Sequence, residues 1–131
     1  PLHAQRIFLR LVVHGADGLD EATVTGETRC SELKDGLVST YNIDSVEIFG
    51  ETYKGAELVG GDANKNAQIV KAVLGGKDGA CRKIVLLNAA LAIMAGEKAK
   101  TIKDGIALAE ECIDKGTAMN KLQSLIKLSN S

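Results

Sequence analysis

The sequence has almost no aromatic surface: it contains no tryptophan, and Phe8, Phe49, Tyr41 and Tyr53 are its only aromatic rings outside histidine. Single strands of nucleic acid are held on aromatic faces where bases stack, so a chain this poor in them is no such platform. Charge is also lacking in excess. Sixteen Lys and Arg against seventeen Asp and Glu leave a formal net charge of −1, neither the basic footprint of a nucleic-acid binder nor a solvating acidic tail. Cysteine is sparse: Cys30, Cys81 and Cys112 are odd in number, far apart and without a Cys-x-x-Cys pair, a pattern that fits reduced thiols better than a disulfide frame or a zinc site. Each reads as a reduced, small, buried hydrophobe rather than a nucleophile. The longest apolar run, residues 84–96, is interrupted by Asn88 and falls short of the ~20 residues a bilayer requires. A basic-then-apolar leader is missing too. The expectation is a soluble, cytoplasmic protein with no nucleic acid and no membrane among its partners. The sequence starts at Pro1, and Met is often removed before Pro, so the first residue does not establish truncation.

What is present suits a globular fold. With 131 residues, 45% hydrophobic and 25% charged, the chain is one domain or part of one. Residues 7–13, with Arg10 interrupting, read as a buried strand that stops in the loop Gly15-Ala16-Asp17-Gly18-Leu19-Asp20-Glu21. In open α/β sheets, ligands gather in the crevice beyond the carboxyl ends of the strands. Asp20 and Glu21 are neighbours, so their carboxylates converge only where the backbone bends, and Gly15 and Gly18 permit that bend. Two carboxylates there form an oxygen site for a hard divalent cation. Mg²⁺ typically takes one or two carboxylates and completes its shell with water and substrate phosphates. The plain alternative is a solvated acidic turn, because Asp-Gly and Leu-Asp-Glu are common turn and helix-start material. Spacing leaves both readings open.

Further along, residues 27–33 and 36–43 alternate loosely around Lys34-Asp35-Gly36, the signature of a β-hairpin. Residues 44–61 keep no period and read as an irregular connection punctuated by glycines. Asp62 then caps a helix with Ala63, Ala67, Val70 and Leu74 on its apolar face, closed by Gly75-Gly76. Residues 80–95 are apolar nearly all round, which predicts a helix in the centre of the domain. Asn88 inside it needs hydrogen-bond partners; a structural tie to neighbouring backbone is the first reading and a ligand contact the second. Thr101 caps the next helix, with Asp104 in a capping-box-like position and Ile102, Ile106, Ala109 and Ile113 as the stripe. Gly116 ends it, and a last helix over 117–128 turns Met119, Leu122 and Ile126 inward. His3 reads as an exposed bystander. The fold class is therefore α/β, one buried strand plus a hairpin followed by about four helices. So small a sheet wants partners and suggests a lobe of something larger.

Taken in order, these pieces resemble the C-terminal portion of the anthranilate phosphoribosyltransferase family. The resemblance rests on Val12-Val13-His14-Gly15-x-Asp17-Gly18-Leu19-Asp20-Glu21, then Asp35-Gly36, Gly60-Gly61-Asp62-Ala63-x-x-Asn66-Ala67-x-Ile69 and Val73-Leu74-x-Gly76. It continues through Leu86-Leu87-Asn88-Ala89-Ala90, Gly105-x-x-x-Ala109 and Asp114-x-Gly116-x-Ala118. It implies a mixed-sheet phosphoribosyltransferase domain of the nucleoside phosphorylase and phosphoribosyltransferase group, of which residues 1–131 are the C-terminal part of the catalytic domain. By the same resemblance, the family's N-terminal helical domain is expected to lie outside these 131 residues. The implied reaction moves a phosphoribosyl group from phosphoribosyl pyrophosphate to the amine of anthranilate, in tryptophan biosynthesis. Asp20 and Glu21 fall on the family's acids that help hold Mg²⁺ on the pyrophosphate.

The family's Gly-Thr-Gly-Gly-Asp phosphate loop, Lys-His-Gly-Asn stretch and anthranilate-binding arginine have no counterpart among these motifs, so no catalytic residue is assigned. Gly60-Gly61-Asp62 imitates the phosphate loop but opens a helix, and His14 is not the histidine of the second stretch. Two expectations follow: the chain alone lacks turnover, or it is a non-catalytic module that docks on a missing N-terminal half or self-associates through sheet edges. A pyrimidine nucleoside phosphorylase is resembled in fold more than in motif.

Overall fold

A computed structural model describes residues 9–130, which leaves His3, Ile7 and Phe8 outside the described residues. Strands β1 (Leu9–Gly15), β2 (Glu27–Lys34) and β3 (Leu37–Asp44) form an antiparallel sheet in that order. The β2–β3 turn places Asp35 at φ 50° and Gly36 at φ 80°. Two successive left-handed residues make the hairpin turn whose twist matches the strands, which is why Asp-Gly sits there. The register sets Val13 beside Cys30 and Cys30 beside Tyr41 on the inner face. Val12, Ser31 and Thr40 face outward, with Val12 70% exposed. β1 is thus buried on one face, because helices cover only one side of this sheet.

Residues 44–61 hold more regular structure than their composition announces. Asp44 accepts the Val46 N–H at 2.8 Å and starts α1 (Ser45–Phe49), which closes at Gly50 with φ 78°. A 3-10 turn spans Gly55–Leu58. Elements of four or five residues are too short to establish a hydrophobic period, which explains why sequence periodicity passes over them.

Helix α2 (Ala63–Leu74) starts where Asp62 accepts the Lys65 N–H at 2.8 Å. It ends with Gly76 at φ 93° and the paired bonds Gly76 N–H to Val73 C=O and Lys77 N–H to Ala72 C=O. Its inward face differs from the expected one. Val73 is buried and Ile69 and Leu74 are half-buried, while Ala63, Ala67 and Val70 are exposed. The larger side chains of Ile69 and Val73 reach a cluster with Leu86, Ala109 and Ile113, and alanines offer too little surface to compete for that contact.

Helix α3 (Ala80–Ala95) is the centre of the molecule. Leu87 and Leu91 join Ala22, Val24, Cys30 and Ile43 beneath the sheet, and Leu86 joins the helical cluster on the other side. Leu86 and Leu87 are fully buried, each a stabilisation of roughly 2 kcal/mol from apolar surface removed from water. Helix α4 (Ile102–Asp114) is capped by Thr101, whose Oγ1 accepts the Asp104 N–H at 3.1 Å and donates to Asp104 Oδ2 at 2.7 Å. Gly116 at φ 73° separates it from α5 (Thr117–Ser129). Met119 and Leu122 are half-buried as expected, but Ile126 is 46% exposed, and α5 buries none of its residues. The cysteines also divide. Cys30 is buried, Cys81 is half-buried, and Cys112, expected inside, is exposed on α4, off the face that Ala109 and Ile113 bury. All three thiols are free.

Candidate functional site

The loop after β1 is a bend held at both ends. Gly15 N–H donates to Leu19 C=O at 3.0 Å and Gly18 N–H to Gly15 C=O at 2.9 Å, with Gly18 at φ 95°. Gly15 is needed for close approach: a Cβ there would lie 2.5 Å from Asp17 Oδ1 and 3.1 Å from Thr23 Cβ. Asp17 closes the bend from within. Its Oδ1 accepts the Leu19 N–H at 3.2 Å, and its Oδ2 accepts the hydroxyls of Thr23 and Thr25, each at 2.6 Å. Burial pushes the Asp17 carboxyl upward, and these donors outweigh it, so the group sits below its ordinary value of 3.8.

This network separates the three acids of the loop into two kinds. Asp17 is committed to the fold. Asp20 and Glu21 are exposed and make no hydrogen bond or ion pair with any described residue, so their oxygens are available. Immediately after them the chain is anchored again. Ala22 is fully buried, its N–H donates to Asn88 Oδ1 at 2.9 Å, and its C=O accepts from Asn88 Nδ2 at 2.8 Å. Thr23 N–H then donates to Thr28 Oγ1 at 2.9 Å. Asn88 is therefore the structural tie its surroundings in sequence suggested. The unforeseen parts are its target, 66 residues away, and the pairing of Asp17 with two threonines. A lone amide in an apolar helix is the one signal that pointed toward the first.

As a metal site the bend offers carboxylate oxygens and nothing else. No cluster of three or more His, Cys, Asp or Glu forms among the described residues, so this set cannot cage a cation unaided. It fits one face of a Mg²⁺ shell, the remainder being water and phosphate. His14 is exposed on the outer face of β1 and adds no ligand. Beside Glu21 lies an apolar groove of about 320 Å³ lined by Leu19, Leu58, Ile69, Val73 and Ile84. At Gly60-Gly61-Asp62, Asn66 Oδ1 accepts the Gly61 N–H at 2.8 Å and its Nδ2 donates to Gly61 C=O at 3.0 Å. That amide is occupied, and the segment acts as a helix cap rather than a phosphate cradle.

A helical layer on one face of a three-stranded antiparallel sheet, with two exposed, unpaired carboxylates in the loop after a strand, defines an α/β lobe. The chain belongs to the glycosyl transferase family, a/b domain, whose sequence profile matches residues 6–119. Among its relatives, the anthranilate phosphoribosyltransferase of Methanocorpusculum labreanum is 50% identical over 119 residues, 91% of this chain and 35% of that protein. The enzyme of the same name from Desulfosudis oleivorans is 44% identical over 131 residues, 99% of this chain and 38% of that protein. In three dimensions the chain is similar to anthranilate phosphoribosyltransferase from Thermus thermophilus, with a TM-score of 0.82 and 30% identity over 94% of this chain and 36% of that one. It is also similar to the Saccharomyces cerevisiae enzyme in complex with PRPP and Mg, with a TM-score of 0.75, 28% identity and coverage of 86% and 33%. The chain thus spans little more than a third of the length of the relatives it matches.

Proposed function

We propose that these 131 residues are a single partial domain, the C-terminal part of an anthranilate phosphoribosyltransferase that moves a phosphoribosyl group from phosphoribosyl pyrophosphate to the amine of anthranilate in tryptophan biosynthesis, in the cytoplasm. Within that enzyme the role of this part is electrostatic. Asp20 and Glu21 would hold Mg²⁺, which, when bound, neutralises charge growing on the departing pyrophosphate. The chain's own residues keep both carboxylates exposed, unpaired and strung between the anchored residues Leu19 and Ala22. That arrangement is the observation carrying the proposal, since acids engaged in the fold could not serve. The Saccharomyces cerevisiae relative forms a complex with PRPP and Mg, which supports the same ligand class here.

By the resemblance, the remaining machinery belongs to the part of the family that this chain does not span, so the chain alone is expected to turn nothing over. Purified chain with phosphoribosyl pyrophosphate, anthranilate and Mg²⁺ is expected to form no phosphoribosyl-anthranilate, and detectable product would contradict this. In a Mg²⁺ titration the chain binds weakly and Asp20→Asn with Glu21→Gln abolishes the response; an unchanged titration would remove the metal assignment.

A second reading, a non-catalytic docking or self-associating module, is favoured by the outer face of the sheet. Val12, Val38 and Leu37 are each at least 70% exposed, and β1 is paired only with β2 among the described residues. The bond from Ala16 N–H to Glu27 C=O sets the alternation, so Leu11 and Val13 present their backbone N–H and C=O to the open edge. Such an edge takes another strand. Size-exclusion with mass measurement separates the outcomes: a monodisperse monomer speaks against self-association, and failure to bind the N-terminal two thirds of a relative speaks against docking.

A further inference from the structure

Asn88 sits in the middle of α3, and every polar atom of its side chain is engaged by backbone. Oδ1 accepts the Ala22 N–H at 2.9 Å, and Nδ2 donates to Ala22 C=O at 2.8 Å and to Ile84 C=O at 3.0 Å. The first of these N–H groups belongs to the peptide that joins Glu21 to Ala22. That bond therefore fixes the plane of the Glu21 carbonyl, and the second fixes the plane of the next peptide. On the other side, Leu19 is held through its C=O by Gly15 and through its N–H by Asp17. Asp20 and Glu21 form a two-residue span between these anchors, and one anchor is a side chain of the most deeply buried helix.

We propose that Asn88 is a positioning residue for the acid pair: by clamping both peptides around Ala22 it sets the backbone orientation from which Asp20 and Glu21 present their oxygens to Mg²⁺. The proposal rests on the Mg²⁺ reading above. The clamp is stiff because its base cannot shift: Leu87 is fully buried and Leu91 is 5% exposed on the same helix. It is also chemically selective. One side chain must offer an acceptor and a donor to the N–H and C=O of a single residue, which a carboxylate cannot do and which glutamine, one methylene longer, cannot do from the same Cα. Residues that orient metal ligands without touching the metal are worth about ten-fold or more in metal affinity.

The test uses the whole 131-residue chain, ¹⁵N-labelled, with Mn²⁺ and Mg²⁺ as probes. In the unmutated chain, Mn²⁺ is expected to broaden the amides of residues 19–22. Mg²⁺ is expected to shift the Asn88 side-chain amide along the same binding curve as the Glu21 and Ala22 amides. Asn88→Leu, close in volume but without either hydrogen bond, is expected to weaken Mn²⁺ binding about ten-fold. Ile113→Val, a destabilised core variant in the helical cluster away from the bend, is expected to keep it within about two-fold, since core trimming alone does not move ligands. A folded Asn88→Leu chain with unmutated affinity would overturn the proposal. If that variant does not fold, the unmutated chain decides: an Asn88 amide that stays still while Glu21 responds overturns it equally. Failure of the underlying Mg²⁺ reading looks different, because then residues 19–22 of the unmutated chain show no response to either ion.

Discussion

Adding one methyl group at Gly105 tests how tightly α3 and α4 are pressed together, and so how firmly the helix carrying Asn88 is held. A Cβ at Gly105 would lie 2.8 Å from the Ala90 carbonyl oxygen and 2.9 Å from both Ala90 Cα and Cβ. Non-bonded carbon contacts are comfortable near 3.5–4.0 Å, so the two helices must move apart by roughly 0.6–1 Å. Two effects oppose each other. Alanine is a better helix former than glycine by about 1 kcal/mol. Overpacking costs about 1–3 kcal/mol, and a gap of that size forfeits a quarter to a half of the dispersion well for the flanking pairs. The contact to backbone decides the sign, because Ala90 O and Cα cannot swing away as a flexible side chain would. Gly105→Ala is expected to lose about 1–2 kcal/mol, seen as a fall in Tm of roughly 3–6 °C by circular dichroism at 222 nm. Ala90→Gly in the same chain would relieve only the Cβ contact, so a double-mutant cycle should show partial rescue. A Gly105→Ala chain stabilised by the full helix-propensity gain would refute the close approach.

Other consequences can be measured alongside. Asp17→Asn exchanges charge-assisted hydrogen bonds from Thr23, Thr25 and Leu19 for weaker ones and is expected to cost about 1–2 kcal/mol at pH 7. Because the folded Asp17 carboxyl lies below its ordinary 3.8, its contribution is present above that value and disappears as pH falls through the lower folded value. Urea midpoints of the two chains should therefore differ at pH 7 and 5 and converge below pH 3.8; a pH-independent gap would assign the loss elsewhere. Arg82 is 7% exposed, donates Nη2 to Asp114 Oδ1 at 2.8 Å, and leaves Nη1 buried without a described partner. Removing the acid strands the buried cation, so Asp114→Ala should cost about 2 kcal/mol or more, whereas Arg82→Met should lie within about 1 kcal/mol of the unmutated chain. Equal losses in the two variants would mean that the pair, rather than the desolvated cation, sets the energetics.

The strands, the hairpin and the four long helices could be read from residue order because their signals are local. Asp35-Gly36 demands a left-handed turn wherever it occurs between alternating strands. Asp62, Thr101, Gly76 and Gly116 cap or stop helices through bonds to residues no more than four or five away. The residue types at Asp20 and Glu21 and their place after a strand were legible for the same reason. Which face each element buries was not, since that depends on what lies opposite. Val12 is outside because this sheet has helices on one side. Val70 and Ile126 are outside because Ile69, Val73, Met119 and Leu122 take the contacts available. The division of the acids was equally hidden. Only folding brings Thr23 and Thr25 onto Asp17 and carries Asn88 across 66 residues to Ala22, leaving the two acids between them exposed and unengaged. Chemistry within a few residues is written in order along the chain, while the availability of a side chain is settled by whichever distant groups claim its neighbours.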